Sequence, residues 1–317
     1  MNKYFKLIVL LGALPLVFLS GCSINKSFTI KEPTPSSITY SKKVGSDNKL
    51  SIQDSRSKDD KKFSVGRLNA ILGGLGKDEI EFLGKNLEAA LKSRGINVNY
   101  SAAADNSNIK LNVIKYRIRN QRSSGFHPYL TYTTFSADLV YQGKTHRITG
   151  YFKNGKVPVW SFAEVEEPCY NIPLSLLVKE IATKINRKVF KLKTSDEKVA
   201  SLAKAIATSE EKLIYFQVLE LGYSNNSKAI PHLVKLTKHT DSMLRATAIS
   251  ALGMLQATDQ FELLKTLYAE NSNTIKYMAL KSIGDLDTQD SKDFIKKIKS
   301  SDEYTEKPIR EIVDLYL

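Results

Sequence analysis

Arg245-Ala246-Thr247-Ala248-Ile249-Ser250-Ala251-Leu252-Gly253 lies without a gap over Lys276-Tyr277-Met278-Ala279-Leu280-Lys281-Ser282-Ile283-Gly284, at an offset of 31 residues. Gly222 stands a further 31 residues before Gly253. Leu202, Leu233, Leu264 and Ile295 keep this period, as do Ala205, Leu236, Leu267 and Ile298. Each period holds two apolar patterns of helical spacing, parted by a polar turn such as Thr237 to Asp241 or Ala269 to Asn273. A unit this small cannot bury its apolar face alone, so stacked neighbours must build the core. Ala248 and Ala251 suit close helix contact. The glycines are expected near helix ends, where a left-handed residue stops a helix. About four units fill residues 197–317, and Arg310-Glu311-Ile312-Val313 forms a final half-unit that fits a capping role.

This repeat resembles the short bacterial HEAT repeat found in phycobilin-lyase-type proteins. The resemblance rests on Ile230-Pro231-His232-Leu233-Val234 with Leu236, then Asp241, Arg245-Ala246, Ala248 and Ala251-Leu252-Gly253. Pro231, Arg245 and Gly253, with Lys276 and Gly284 one period on, are its signature positions. The resemblance implies an all-α solenoid with a protein-binding surface. It implies no lyase activity, and nothing in the chain marks a chromophore site.

Residues 37–190 read as a separate α+β domain, an antiparallel sheet with two helices. Ser37 to Ser41 and Lys49 to Asp54 are expected strands. Asp78 to Arg94 carries apolar residues at 80, 82, 83, 87, 90 and 91, a helical face that Gly95 ends. Ile96 to Tyr100 alternates; Ile109 to Val113 and Ile114 to Ile118 alternate in shifted phase, which predicts a bulge. Leu130 to Tyr141 and Thr145 to Phe152 read as strands joined by Gln142-Gly143-Lys144, and a helix over about Pro173 to Phe190 closes the domain. Asp54-x-Arg56, the following helix, Gly95 and its strand make this region similar to small envelope lipoproteins of the YajG type.

Lys3 and Lys6 precede the apolar run Leu7 to Leu19, too short for a comfortable membrane span, and small residues follow. Residues 1–21 therefore read as a secretory signal. Leu19-Ser20-Gly21-Cys22 resembles the lipobox of bacterial lipoproteins. That resemblance implies cleavage before Cys22, attachment of palmitate-type acyl chains to it, and a place in the cell envelope. With Ser23 rather than Asp next, it implies the periplasmic face of the outer membrane in a Gram-negative cell. Residues 22–36 read as a lipidated tether. Cys169 is then the one other cysteine, expected as a buried small hydrophobe or as half of a mixed disulfide with a partner.

The chain has 317 residues, 42% apolar and 25% charged, an ordinary globular balance for roughly two domains. Its charge of +14 is uneven: residues 196–317 are net −2 and residues 22–195 net +14. Lys115, Arg117, Arg119 and Arg122 form one basic group and Lys58, Lys61, Lys62 and Arg67 another. Both are candidate contacts for an anionic surface: phospholipid, lipopolysaccharide, peptidoglycan or an acidic partner. Export argues against nucleic acid. Tyr129, Tyr132, Phe135, Tyr141, Tyr151, Phe152, Trp160 and Phe162 enrich the strand region in aromatics, and an exposed subset is a candidate glycan or partner contact.

The search for chemistry returns no catalytic set. His127, His146, His232 and His239 lack metal-site spacing, so no metal or cofactor is expected. Gly73-Gly74-Leu75-Gly76-Lys77 lacks the pattern of a phosphate loop and reads as a hinge; Ser201-x-x-Lys204 lies in a repeat helix; Glu164, Glu166 and Glu167 have no saccharide to act on. A non-catalytic adaptor for envelope proteins is the leading reading. A module binding anionic glycan or lipopolysaccharide, and an envelope hydrolase whose residues spacing does not reveal, are the alternatives.

Overall fold

The computed structural model describes residues 25–102, 106–209, 211 and 213–317, so the expected signal and Cys22 lie outside the described residues. Among the described residues no helix is long and apolar enough to cross a membrane.

The first half is a curled mixed sheet of strands β2 (Val44–Asp54), β3 (Ser64–Gly66), β5 (Ile96–Ser101), β6 (Ile109–Gln121), β7 (Tyr129–Tyr141) and β8 (Lys144–Lys156). The strand order is β5-β2-β6-β7-β8, with β3 alongside β6. Helix α1 (Glu79–Ser93) links β2 to β5. Its Asp78 cap accepts the Glu81 N–H at 2.7 Å, and Gly74 and Gly76 turn the chain before it at φ +84° and +74°. The expectation of an antiparallel sheet is corrected here. A helical crossover returns the chain in the same direction, so β2 runs parallel to both β5 and β6. Only β6-β7-β8 is the expected antiparallel meander, with its register shift between Val113 and Lys115 and a Gln142-Gly143 turn at φ +48° and +73°.

Two further expectations change. Ser37 to Ser41 is not a strand, and part of the expected tether is folded. β1 (Asn25–Thr29) pairs parallel with β4 (Asn69–Gly73), and Phe28, stacked at 4.7 Å on Tyr170, is buried. Residues 31–43 follow as a strap with no ladder of their own. Ile38 and Tyr40 are buried, and Tyr40 donates to the Tyr223 carbonyl in the repeats at 3.3 Å. Alternating polar and apolar residues suit such a strap as well as a strand.

Helical turns run from Ala163 to Phe190: α2 (Ala163–Glu166), wider turns at Glu167–Asn171, α3 (Ile172–Ile185) and wider turns at Asn186–Phe190. α3 packs on the apolar inner face of the sheet. A Cβ on Gly150 would stand 2.3 Å from a Leu177 methyl, so the glycine lets that side chain lie directly on the strand.

The second half is a run of helix pairs. α4 (Asp196–Thr208), α6 (Ile230–Leu236), α8 (Phe261–Tyr268) and α10 (Gln289–Lys299) alternate with α5 (Tyr215–Tyr223), α7 (Ser242–Met254), α9 (Asn273–Asp285) and α11 (Lys307–Tyr316). The second helices of the pairs pack against one another in order. The period-31 glycines are not helix stops. Gly253 lies inside α7, where a Cβ would come within 2.6 Å of the Ser282 backbone; Gly222 meets Ala251 and Gly284 meets the Tyr316 ring in the same way. Their task is close approach of successive helices. The stops are three residues later, at Asn225, Gln256 and Asp287, whose φ values are +52°, +51° and +57°.

The two halves share a buried charged interface. α3 contributes Glu180 and Lys184, and α9 contributes Lys281 and Asp285. Lys184 lies 2.8 Å from Glu180 and 2.6 Å from Asp285; Lys281 lies 2.8 Å from Glu180 and 2.9 Å from Asp285. Thr149 of β8 donates to Asp285 at 2.9 Å, and Tyr316 of α11 donates to it at 2.8 Å. Burial alone would raise the Asp285 carboxyl, but the two ammoniums hold it well below the usual carboxylate range. Burial likewise pulls the Lys281 ammonium down, and Asp285 and Glu180 together outweigh it.

Asp285→Ala leaves two ammoniums buried with one carboxylate, and is expected to cost about 3–5 kcal/mol in urea unfolding. Asp285 stabilises above its unfolded pKa near 3.9 and loses that as pH falls through its lower folded value. Lys281 stabilises below about 10.4 and loses that as pH rises through its higher folded value. In wild type both contributions are therefore in place from about pH 5 to 9, while in the variant the uncompensated ammonium is driven toward its neutral form as pH rises, so the gap should narrow toward the alkaline end.

Candidate functional site

Of the two basic groups expected to meet an anionic surface, the Lys115–Arg122 group is largely engaged within the protein and the Lys58–Arg67 group is exposed. Arg119 is buried, 2.5 Å from Glu311 of α11 and with its guanidinium 4.0 Å from the Tyr132 ring centroid. It is removed from the surface candidates because α11 covers the outer face of β7 and β8. Arg117 pairs with Asp60 at 2.5 Å, and Arg122 is half-buried among loop carbonyls. Lys115 is half-buried. Lys58, Lys61, Lys62 and Arg67 are exposed, Lys61 at 4.0 Å from Asp54. Arg56 of the Asp54-x-Arg56 pair is a buried tie from β2 to α1, 2.8 Å from Asp54 and 2.7 Å from Glu79.

The repeat signature residues hold neighbouring units together. Arg245 clasps Glu270 at 2.7 Å and donates to the Thr237 carbonyl at 2.9 Å; Lys276, one period on, pairs with Glu303 at 2.5 Å. Pro231 opens the first turn of α6, where its missing N–H costs nothing. Cys169 is buried, and burial pushes its thiol up to about 12. Glu166 accepts the Thr29 N–H at 3.0 Å and Glu167 pairs with Lys31 at 2.8 Å, so this acidic group ties down β1. Among the described residues no group of three or more His, Cys, Asp or Glu is arranged to hold a metal ion.

The inner side of the repeats is partly filled by the chain itself, since α3 packs on α5 and α7. Two connected openings remain. A groove of about 750 Å³ lies between α4 and the α6–α7 pair, with Ile206, Ile214, Leu236 and Leu244 inside and Lys235, Lys238, Glu211 and Asp241 along its rim beside His232 and His239. A cleft of about 200 Å³ continues from it past Tyr215 and Met243, between β8 and the repeats, and is lined by Phe152, Leu176, Leu219 and Met278. Met243 is 52% exposed at the junction. These volumes suit a ligand or a partner side chain.

Lys153 lines the cleft. It is half-buried, pairs with no acid among the described residues, and has the Tyr277 ring centroid 5.5 Å away. Burial draws its amine below the ordinary lysine value. Neither Lys153 nor Met243 stands out in the sequence: a lysine on a strand and a methionine at a helix start are each ordinary. Only the approach of β8 to the repeats makes them neighbours.

Residues 199–284 match the family model of HEAT repeats. No curated protein matches the chain. A solved structure described as an "uncharacterized protein" is 12% identical, over 52% of this chain and 99% of that one, with a TM-score of 0.30.

Lys153→Met removes an unpaired, partly desolvated cation, and is expected to raise the thermal midpoint at pH 7 by about 2 °C. The cost of the charge is full below the lowered folded pKa and vanishes as pH passes the unfolded value near 10.4. The two melting curves should therefore converge as pH rises toward that value.

Proposed function

We propose that the chain is a lipid-anchored envelope protein whose HEAT-like repeats act as a non-catalytic scaffold for a protein partner. The observation that carries this reading is the open groove at the α4–α7 end of the repeats. It is apolar within, carries both signs of charge along its rim, and shares Tyr215 and the half-exposed Met243 with the cleft beyond. A segment offering one or two apolar side chains flanked by polar residues fits that arrangement: the apolar groups fill the groove, and the flanking groups meet Lys235, Lys238, Glu211 and Asp241 at its rim. The Leu19-Ser20-Gly21-Cys22 lipobox supports anchoring at the membrane.

Lys153 favours a second reading, capture of an anionic small molecule or glycan in the cleft. A cation without an acid in an apolar cleft gains more from an incoming carboxylate or phosphate than a solvated one does. In that case the repeats form one wall of a ligand site rather than a docking face.

The two readings separate by point substitution in the full-length protein. Deleting the repeats would instead strip the cover from Glu180 and Lys184. Met243→Glu sets a charge at the junction of groove and cleft, and should reduce crosslinked capture of envelope proteins about tenfold without lowering the melting temperature, because Met243 is exposed. Unchanged protein capture in both variants, with binding of a soluble anionic glycan lost in Lys153→Met, would favour the small-ligand reading; no change in either binding would remove this face as the binding site.

A further inference from the structure

β1 begins at Asn25, three residues after Cys22 in the sequence. Hydrogen bonds fix where that start lies. Asn69 donates to the Asn25 side chain at 2.6 Å; the Leu68 N–H donates to Asn120 at 2.9 Å; Arg67 donates to the carbonyls of Arg122 and Ser123 at 3.3 and 3.2 Å. Asn25 thus sits at the end of the sheet from which two loops project, residues 122–128 between β6 and β7 and residues 157–162 after β8. Arg122 joins these loops, donating to the carbonyls of Gly125, of His127 at 3.2 Å and of Val159 at 3.4 Å.

On these clamped loops Phe126 is 98%, Trp160 84% and Val157 57% exposed. They are three of the seven large apolar side chains exposed among the described residues. Grouped at one end of a molecule, such side chains mark a contact surface. The same end carries Lys26, Arg67, Arg122 and Lys156. Its acids Glu164 and Glu166 are held at backbone N–H groups, of Ser161 at 3.2 Å and of Thr29 at 3.0 Å, and offset two of these four cations, which leaves the end net basic. Aromatic tips beside cations match the boundary between headgroups and acyl chains. There the ring bodies leave water and the cations meet phosphates.

We propose that the 122–128 and 157–162 loop tips form a membrane-contacting surface, with Phe126, Val157 and Trp160 entering the interface of an anionic bilayer. The placement of that bilayer rests on the anchor reading: three residues span about 10 Å, so an acylated Cys22 and the tips reach one leaflet. A lipid anchor alone leaves a protein free to swivel. The tips supply a second contact and set which face of the protein turns away from the membrane.

Trp160 is the one tryptophan in the chain, so intrinsic fluorescence reads this surface alone. The test uses the full-length protein and its Cys22→Ser variant on phosphatidylethanolamine–phosphatidylglycerol vesicles, with and without brominated lipid. In both proteins, bound Trp160 should shift to the blue and be quenched by brominated lipid. Binding of the Cys22→Ser variant should weaken with salt. Adding Phe126→Ser and Val157→Ser should weaken it about tenfold further. The surface assignment is overturned if wild type floats with vesicles while Trp160 is reached by aqueous iodide and not by brominated lipid. It is equally overturned if only isolated cell-wall sacculi, and not vesicles, shield Trp160. Failure of the anchor reading looks different: wild type and Cys22→Ser would partition alike, while the fate of Trp160 still decides the surface.

Discussion

Glu180, Lys184, Lys281 and Asp285 bring two cations and two anions together out of water, two from each half of the chain. Taking them from water is costly unless all four meet with good geometry. Asp285 meets that condition, taking hydrogen bonds from both lysines, whereas Glu180 lies within ion-pair distance of both and accepts no hydrogen bond among the described residues; the contact forms where α3 lies against α9. Thr149 and Tyr316 bind the same carboxylate from the sheet edge and from the last helix. Two further ties run in parallel. The strap of residues 31–43 reaches the repeats from the start of the described chain, and the Arg119–Glu311 pair holds α11 to the sheet.

This docking sets what the repeats can offer to other molecules. Their inner side begins with an occupant, the α3 helix of the same chain. The glycines at 222, 253 and 284 let successive inner helices approach closely enough to close that surface. What stays open is the groove at the α4–α7 end and the cleft beside β8. A scaffold built this way presents a short site rather than a long concave track, and one wall of that site belongs to the sheet.

The distribution of charge follows the same logic. The +14 of residues 22–195 suggests a broad basic face, yet Arg56, Arg117 and Arg119 spend their charge on Asp54, Glu79, Asp60 and Glu311. The cations left to solvent sit on loops, among them Lys58, Lys62 and Arg67. The exposed aromatics follow suit: Tyr132, Phe135 and Tyr151 are buried in the strands, while Phe126 and Trp160 stand out on the loops.

The sequence by itself determined the repeat, its period, the α1 helix, the bulge in β6 and the hairpin between β7 and β8. These depend on apolar spacing, caps and turn residues, which act over a few positions. A large apolar residue in the polar stretch Ser123-Ser124-Gly125-Phe126 was equally open to reading. Tertiary structure alone decided that β2 is parallel to its neighbours, that the period-31 glycines are contacts rather than stops, and that Arg119 is buried. It alone set Lys153 and Met243 along one cleft. Each of these turns on which distant surface comes to lie opposite a residue. That is settled by burial of whole faces and by pairing of charges 101 positions apart, as in Lys184 and Asp285, for which no local pattern exists.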